Sequence, residues 1–467
     1  MNYEEAVASL LALGKELAAP RQPAVSGARG ARVQKFDLEN IRVLAAHLGA
    51  PHRAVPCAHI AGTNGKGSTA AMLESVLRAA GLSTGLFTSP HLERINERIQ
   101  FNGEPISDED FATEFTRVQA AIEKLLASGE LAAHPTYFEC MTAMAFDAFA
   151  RRPVDFAVYE VGMGGRLDST NIVQPEVAVI TQIDFDHENY LGHSIAQIAT
   201  EKAGIIKPGG WVVSSVQRPE AQAVIARRAA ELDARLIETE TAWRTEETKS
   251  SAGCYRVEAR PTNSSKALAF DIPLPGRFQI RNAMAAATAA RMIASKGFPV
   301  SDEAICRGIE GTHWPGRLEM LAERPAVYLD GAHNPSGARE LVAFWEEHMR
   351  GRRIWLIYGA MRDKAVDEVA GLLFPRAHEV VLTEPGQSRA ISANLLHEMT
   401  SHLARRMRII ANPADALDWA VASAQAEDAV FATGSLYLVG DLRRHWFRKH
   451  RSAGRQLVAR VAKSETL

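Results

Sequence analysis

Cysteine is scarce in this chain of 467 residues: the 4 present, Cys57, Cys140, Cys254 and Cys306, lie far apart with no C-x-x-C spacing. Their pattern excludes a disulfide-stapled fold and a structural zinc site, and it fits reduced thiols acting as core fillers. Excess charge is missing as well, since 53 Lys and Arg against 55 Asp and Glu leave a net charge of −2 and a pI near 6.8. No broad basic field is therefore available for nucleic acid. No apolar run approaches membrane-spanning length, and Glu4 and Glu5 stand in MNYEEAVASLLALGKEL where a secretory signal is basic. A cytoplasmic, monomeric protein with no membrane partner is the expectation. No repeat of fixed period and no extended low-complexity segment interrupts the chain.

What is there is an ordinary globular composition, 46% hydrophobic and 23% charged. The chain is longer than a single growing core accommodates, which implies two domains. Residues 1 to 17 read as an amphipathic helix, 18 to 33 as a Pro-, Gly- and Arg-rich loop of lid type, and 37 to 48 as a second helix. Apolar strand-like runs then alternate with helices: AVPCAHIAG, STGLFTS, VDFAVYEVG, EVAVITQID and WVVSSV, with helical stretches near 107–128, 136–151 and 194–204. The alternation predicts an α/β fold with a mostly parallel sheet covered on both faces. Residues 240 to 272 shift to short alternating runs, which predicts a small antiparallel patch. An alanine-rich helix follows over 282–296. The alternation then restarts with AVYLDG, RIWLIYGAM, EVVLTEP, RRMRII and DAVFATG, so the reading is a larger domain over 1–312 and a smaller α/β domain over 313–467. The basic run from Arg443 to Lys463 reads as a solvated helix and tail.

The most telling segment is AHIAGTNGKGSTAAMLESVLRAAG, where an apolar strand enters a glycine loop bearing one lysine and two hydroxyls and then a helix. Backbone N–H groups from Gly62, Thr63, Asn64, Gly65, Lys66, Gly67 and Ser68, at the positive end of that helix, suit a polyphosphate. Lys66 would neutralise its outer oxygens, and Ser68 or Thr69 could reach a magnesium ion. The match to the common P-loop is imperfect, because Gly67 rather than Ser or Thr follows the lysine and no glycine stands five residues before Gly65.

Polar residues that close apolar runs carry the most weight in an open α/β sheet, because ligands gather at the carboxyl ends of its strands. Glu160 ends VDFAVYE and opens the glycine-rich VGMGGRLDSTN, while Asp184, Asp186 and His187 follow VAVITQI. Glu160 and His187 offer an oxygen and a nitrogen to a divalent ion. In HSIAQIATEKAGIIK, Ser194 and Gln197 form a candidate capping box, and the stripe Ile195, Ile198, Ala199 continues onto Lys202. An ammonium on that buried face must snorkel, pair with a carboxylate or phosphate, or be chemically altered. Near the start of the second domain, Arg317 is placed either to meet phosphates or to pair with Glu319. Asp330, His333 and Asn334 crowd a turn in AVYLDGAHNP, with Asp330 suited to a ribose or an amine and His333 to a carboxylate.

Taken together, HIAGTNGKGST, TSPHLERINERI, YFECMTAMAF, YEVGMGGRLDSTN, DFDHENYLG with EKAGIIKPG, GRFQIRNAMAA, WPGRLE, LDGAHNP and ATGSLYLVGD resemble the Mur ligase superfamily from about residue 37 to 442. The TSPHL and EVGMGGRLDSTN loops are similar to its folate branch, the folylpolyglutamate and dihydrofolate synthases. The resemblance implies that ATP phosphorylates a carboxylate of dihydropteroate or a reduced folate and that the amine of L-glutamate attacks the acyl phosphate. By the same resemblance, Lys66 and Ser68 hold phosphates, and Ser89, Glu160 and His187 ligate Mg2+. Lys202 is carbamylated to N6-carboxylysine, Asn282, Arg317 and Asp330 contact ATP, His333 and Ser435 hold glutamate, and Phe138 stacks on the pterin. A bifunctional synthase is the favoured expectation; a peptidoglycan-type ligase on a UDP-sugar and a non-ligase nucleotide switch are the alternatives.

Overall fold

The computed structural model describes residues 1–14, 37–263 and 266–464. The 18–33 loop falls outside the described residues. Two compact units form, one from Met1–Ser250, Cys254–Pro273 and Phe278–His313, the other from Ser251–Gly253, Leu274–Arg277 and Trp314 onward.

The first unit is built on β1 (Cys57–Ala61), β2 (Thr84–Phe87), β3 (Ile99–Phe101), β4 (Glu104–Pro105), β5 (Phe156–Glu160), β6 (Val177–Ile180), β7 (Trp211–Ser214) and β8 (Arg235–Glu238). They order as β4-β3-β2-β5-β1-β6-β7-β8, parallel from β2 to β8, with β3 and β4 added antiparallel at one edge. β1, β2, β5 and β6 are buried along their whole length, as strands covered on both faces require. The register pairs Ile60 with Glu160 and Ala61 with Ile180. The ends of β5, β1 and β6 thus lie side by side, and the loops that follow them share one edge of the sheet.

The antiparallel patch expected within 240–272 is present as β9 (Trp243–Lys249), β10 (Tyr255–Pro261) and β11 (Leu268–Ile272). Residues of β10 alternate between buried and exposed, the mark of a sheet with one face in water. The second unit has β12 (Glu319–Glu323), β13 (Ala326–Leu329), β14 (Ile354–Tyr358), β15 (Glu379–Leu382), β16 (Met407–Ile409) and β17 (Ala429–Thr433), ordered β12-β13-β17-β14-β15-β16. All neighbours are parallel except β12, which pairs antiparallel with β13. The α/β class with a larger and a smaller sheet unit is as the sequence implies.

Several local expectations shift. The first helix is Tyr3–Ala12, shorter than 1–17, and Asn2 with Glu5 closes a capping box at its start. The alanine-rich helix begins at Phe278, before Asn282, because Gln279 and Ile280 bury as part of it. Ser194 accepts the Gln197 N–H at 3.2 Å, but Gln197 Oε1 takes the His193 N–H at 2.8 Å, so the reciprocal half of the box lands one residue early. Cys57 and Cys140 are buried core thiols, whereas Cys254 and Cys306 are only half-buried, which corrects their reading as core fillers; all four are free. The terminal helix starts at Leu436 and continues to Ser464. Among the described residues no helix is long and apolar enough to cross a membrane.

One buried pair gives the first unit a pH dependence. Glu114, in helix Asp108–Ser128, lies beside Asp147 of helix Tyr137–Arg151, and Arg117 Nε engages Asp147 at 2.8 Å. Burial first, then the charge and hydrogen bond of Asp147, push Glu114 up to about 7 from an ordinary 4.5. A carboxyl raised in the folded state stabilises fully below its unfolded value and loses that contribution as pH rises through the folded one. Glu114→Gln is therefore expected to raise the melting temperature by roughly 2–5 °C at pH 8 and to change it little at pH 5, which calorimetry at the two pH values checks.

Candidate active site

The helix that follows the glycine loop, Lys66–Ala79, starts after Gly65, whose φ is +88°. A Cβ at Gly65 would overlap Asn282 Oδ1, and one at Gly62 would overlap Thr181 Oγ1, so both glycines admit a neighbouring polar side chain against the backbone. Thr181 Oγ1 donates to Asn64 O at 2.8 Å, Thr63 N donates to Gln182 O at 2.7 Å, and Thr63 Oγ1 donates to Asp184 O at 2.9 Å. The loop is thereby sewn onto the segment that follows β6. Asn64, Gly65 and Lys66 remain half-exposed at its mouth, while Gly67, Ser68 and Thr69 are buried. Ser68 Oγ lies 3.5 Å from Gln279 Nε2, and Asn282 Nδ2 donates to Gln279 Oε1 at 2.8 Å, which seats the alanine-rich helix directly behind the loop.

Lys66 Nζ donates to Gly62 O and Thr63 O, each at 3.1 Å. Lys202 Nζ donates to the same Gly62 O at 2.8 Å from the last turn of helix Ile195–Ala203. Lys202 is 4% exposed, so it does not snorkel; the apolar stripe carries its amine inward to the glycine loop. Two lysine amines therefore converge on one carbonyl oxygen of the glycine loop.

Glu160 ends β5, is 5% exposed, and accepts the Ser89 N–H on Oε2 at 3.1 Å. The expected metal residues Ser89 and Glu160 are thus brought together. His187, at φ +51°, opens the short helix Glu188–Leu191 after β6, with Nε2 3.8 Å from Asp186 Oδ2. Among the described residues no three His, Cys, Asp or Glu side chains form a metal cage. Phe138, half-buried on helix Tyr137–Arg151, lies against Gly162, where a Cβ would overlap its ring, and 5.9 Å from the Phe87 ring. It therefore borders the loop that leaves Glu160.

Sequence reasoning missed what holds that loop. Asp168 accepts N–H groups from Met163 at 2.9 Å and Thr170 at 3.1 Å, and burial pushes its carboxyl up. His59 Nε2 meets Thr170 Oγ1 at 2.8 Å inside the sheet, and burial lowers the ring to about 3, so it stays neutral. The aspartate in LDSTN, one residue before two hydroxyls, was the available signal for an Asx-type turn.

In the second unit, Asp330 directly follows β13 and is 6% exposed. It accepts the Ala332 N–H at 2.9 Å and the Leu318 N–H at 3.0 Å, and burial raises its carboxyl. His333 Nδ1 lies 2.8 Å from Gly331 O, which can only accept, so Nδ1 carries a hydrogen and is the donor. Asn334 caps helix Pro335–His348 through the Gly337 N–H at 2.8 Å. Thr433 Oγ1 and Gly434 N both donate to Ala332 O, at 3.1 and 2.9 Å, so the loop ending in Ser435 is tied to the turn that carries His333. Ser435, 2% exposed, accepts the Tyr437 N–H at 3.2 Å. Arg317 Nη1 donates to Gly316 O at 3.1 Å, while both oxygens of Glu319 accept from Arg443 Nε at 3.0 Å.

Residues 60–290 match the Mur ligase middle domain, and residues 316–436 match the Mur ligase glutamate ligase domain. A Bacillus subtilis dihydrofolate synthase/folylpolyglutamate synthase is 37% identical over 88% of this chain and 95% of its own length. The chain belongs to this branch of the Mur ligase family. An Escherichia coli dihydrofolate synthase/folylpolyglutamate synthase is 33% identical over 86% of this ligase and 90% of its own length. Mycobacterium tuberculosis folylpolyglutamate synthase, complexed with ADP and AMPPCP, superposes with a TM-score of 0.81 at 33% identity, covering 88% of this ligase and 95% of that chain. E. coli FolC in complex with DHPP and ADP superposes at 0.83 with 29% identity, over 96% and 99%. Folate names along nearly the whole match favour the folate branch over a UDP-sugar ligase or a nucleotide switch.

Proposed function

We propose that this ligase uses ATP to join L-glutamate to dihydropteroate and to the glutamate tail of reduced folates, releasing ADP and phosphate. The observation that carries the reading is the Gly62 carbonyl shared by Lys66 and Lys202, because it brings two lysine amines to a backbone loop suited to a polyphosphate. Lys66 steadies the outer phosphates while loop N–H groups orient them, and Asn282, Arg317 and Asp330 hold the rest of the nucleotide. The substrate carboxylate takes the terminal phosphoryl group, ADP leaves, and the glutamate amine, oriented by His333 and Ser435, displaces phosphate to form the amide. Ser89, Glu160 and His187 would hold magnesium, which would supply charge neutralisation at the phosphates when bound. The Lys202 ammonium loses one proton to become the free amine, which adds CO2 and loses a second, so that a cation beside Lys66 becomes a carbamate anion. The enzyme works in the cytoplasm as a monomer.

A coupled assay for ADP release with ATP, glutamate and either dihydropteroate or tetrahydrofolate tests this reading. Stimulation by both supports the bifunctional assignment, stimulation by reduced folate alone restricts it to tail extension, and stimulation by neither overturns it. The loop-facing ring of Phe138 gives a second check. Phe138→Ala is expected to raise KM for the pterin substrate roughly 3–10-fold while KM for ATP holds, since an aromatic stack contributes about 0.5–1.5 kcal/mol beyond burial. Steady-state kinetics with each substrate varied would expose a shift in both constants, which would contradict a pterin-side role.

A further inference from the structure

Loop 162–171, which follows Glu160, meets the last turn of the Lys202 helix backbone to backbone. Arg166 N donates to Glu201 O at 2.8 Å, and its guanidinium reaches Glu201 Oε1 at 2.9 and 3.2 Å. A Cβ on Gly165 would lie 2.8 Å from Glu201 O and 3.0 Å from Lys202 O, and one on Gly204 would overlap Arg166. Glycine on each side of the seam removes the spacing a side chain would impose.

Asn171 closes this seam. It is 8% exposed, and its Nδ2 donates to Arg166 O on the loop and to Gly204 O beyond the helix, each at 3.0 Å. Its Oδ1 and main-chain O accept from Lys207 Nζ at 2.9 and 2.8 Å. Both amide hydrogens and the amide oxygen are thus in use, one bond is charge-assisted, and a fully satisfied buried network of this kind admits a single arrangement. Glu160, bonded to Ser89 N, precedes the loop, and Lys202, whose side chain bonds Gly62 O, stands in the helix turn at the seam itself.

We propose that Asn171, held by Lys207, is a positioning residue for the ligase reaction: it sets the helix end that carries Lys202 against the loop that leaves Glu160, so both side chains keep one spacing at the glycine loop. The proposal rests on the function given above, which assigns Glu160 and Lys202 to the reaction. In it, neither Asn171 nor Lys207 touches a reactant.

Asn171→Asp keeps the volume and the acceptor for Lys207 but loses both donors and turns a carboxylate toward two carbonyls. It is expected to lower kcat about 10–100-fold, the cost of a misplacement near 1 Å, with KM for ATP held within about 2-fold because Thr63 and Thr181 anchor the glycine loop separately. Lys207→Met should lower kcat in the same way, and Lys207→Arg should recover most of it; this pair also covers the case in which Asn171→Asp does not fold. A readout independent of turnover is acetylation of lysines by acetic anhydride, followed by peptide mass spectrometry on protein that circular dichroism shows to be folded. Lys202 should label at least about 5-fold faster in Asn171→Asp, with Lys66 and Lys296 at the wild-type rate, because only the Lys202 helix end is released. Wild-type kcat together with wild-type protection of Lys202 would overturn the proposal. So would a uniform rise in labelling accompanied by parallel changes in kcat, KM and melting temperature. A wild-type protein inert toward both pterin substrates would instead remove the ligase reading, and the labelling would still decide whether Asn171 positions Lys202.

Discussion

Replacing Lys202 with alanine is expected to lower kcat by about 10^2–10^3-fold, the range seen when one preorganised electrostatic group is removed from a reacting centre. The side chain is buried, its amine reaches the glycine loop at Gly62 O, and it shares that oxygen with Lys66. Truncation removes the charged group and opens space at the loop. Formate or acetate, added to the variant, should restore part of the rate if the working group is a carbamate, since a small carboxylate then replaces the missing anion. Recovery by methylamine in place of the acids would show that the ammonium itself is the working form. Near-normal turnover in the untreated variant would remove Lys202 from the reaction.

Gly62→Ala carries the second large effect. The added methyl would occupy the position of Thr181 Oγ1, which bridges Ala61 O at 3.3 Å and Asn64 O at 2.8 Å. Either the threonine rotates and releases the loop, or the loop shifts and moves the carbonyl that both lysines use. We expect a loss of roughly 1–3 kcal/mol in stability from overpacking. A drop in kcat/KM for ATP of about 10^2-fold or more should accompany it. The double variant Gly62→Ala with Thr181→Ala relieves the overlap, so its deficit should be smaller than the sum of the two single deficits. Additive losses, measured by thermal melts and nucleotide kinetics across the four proteins, would show that the contact is not the cause.

Much of this arrangement was legible before any coordinates. Period and length separate the strands, and in the larger sheet the residues that close neighbouring runs share one edge: Gly62 after β1, Glu160 at β5 and Asp184 after β6; Asp330 follows β13 in the smaller sheet in the same way. The stripe Ile195, Ile198, Ala199 located Lys202 on a buried face, and burial is what the fold delivers. What escaped was long-range and polar. Nothing local distinguishes Thr181 as the partner of a loop far earlier in the chain, or Asn171 as a bridge to Gly204, since such bonds depend on strand order rather than on periodicity. The pairing of β12 antiparallel to β13 was equally hidden, because its residues are only half-buried and carry a weak apolar pattern. Lys202's destination followed the same rule: its face could be read from spacing, but its acceptor is 140 positions away in sequence.

The helix behind the glycine loop presents Ala283, Ala285, Ala286, Ala287, Ala289 and Ala290, each fully enclosed. Methyl-sized side chains make it a thin shim, and its thickness sets how far forward Asn282 stands at Gly65. A leucine at any of these places would push the shim outward and tilt the nucleotide seat without altering one residue that touches it. Drift along this helix should accordingly be compensated by shrinkage across the interface, and variants that recover activity after such an insertion should map to the facing side of helix Lys66–Ala79 rather than to the seat itself.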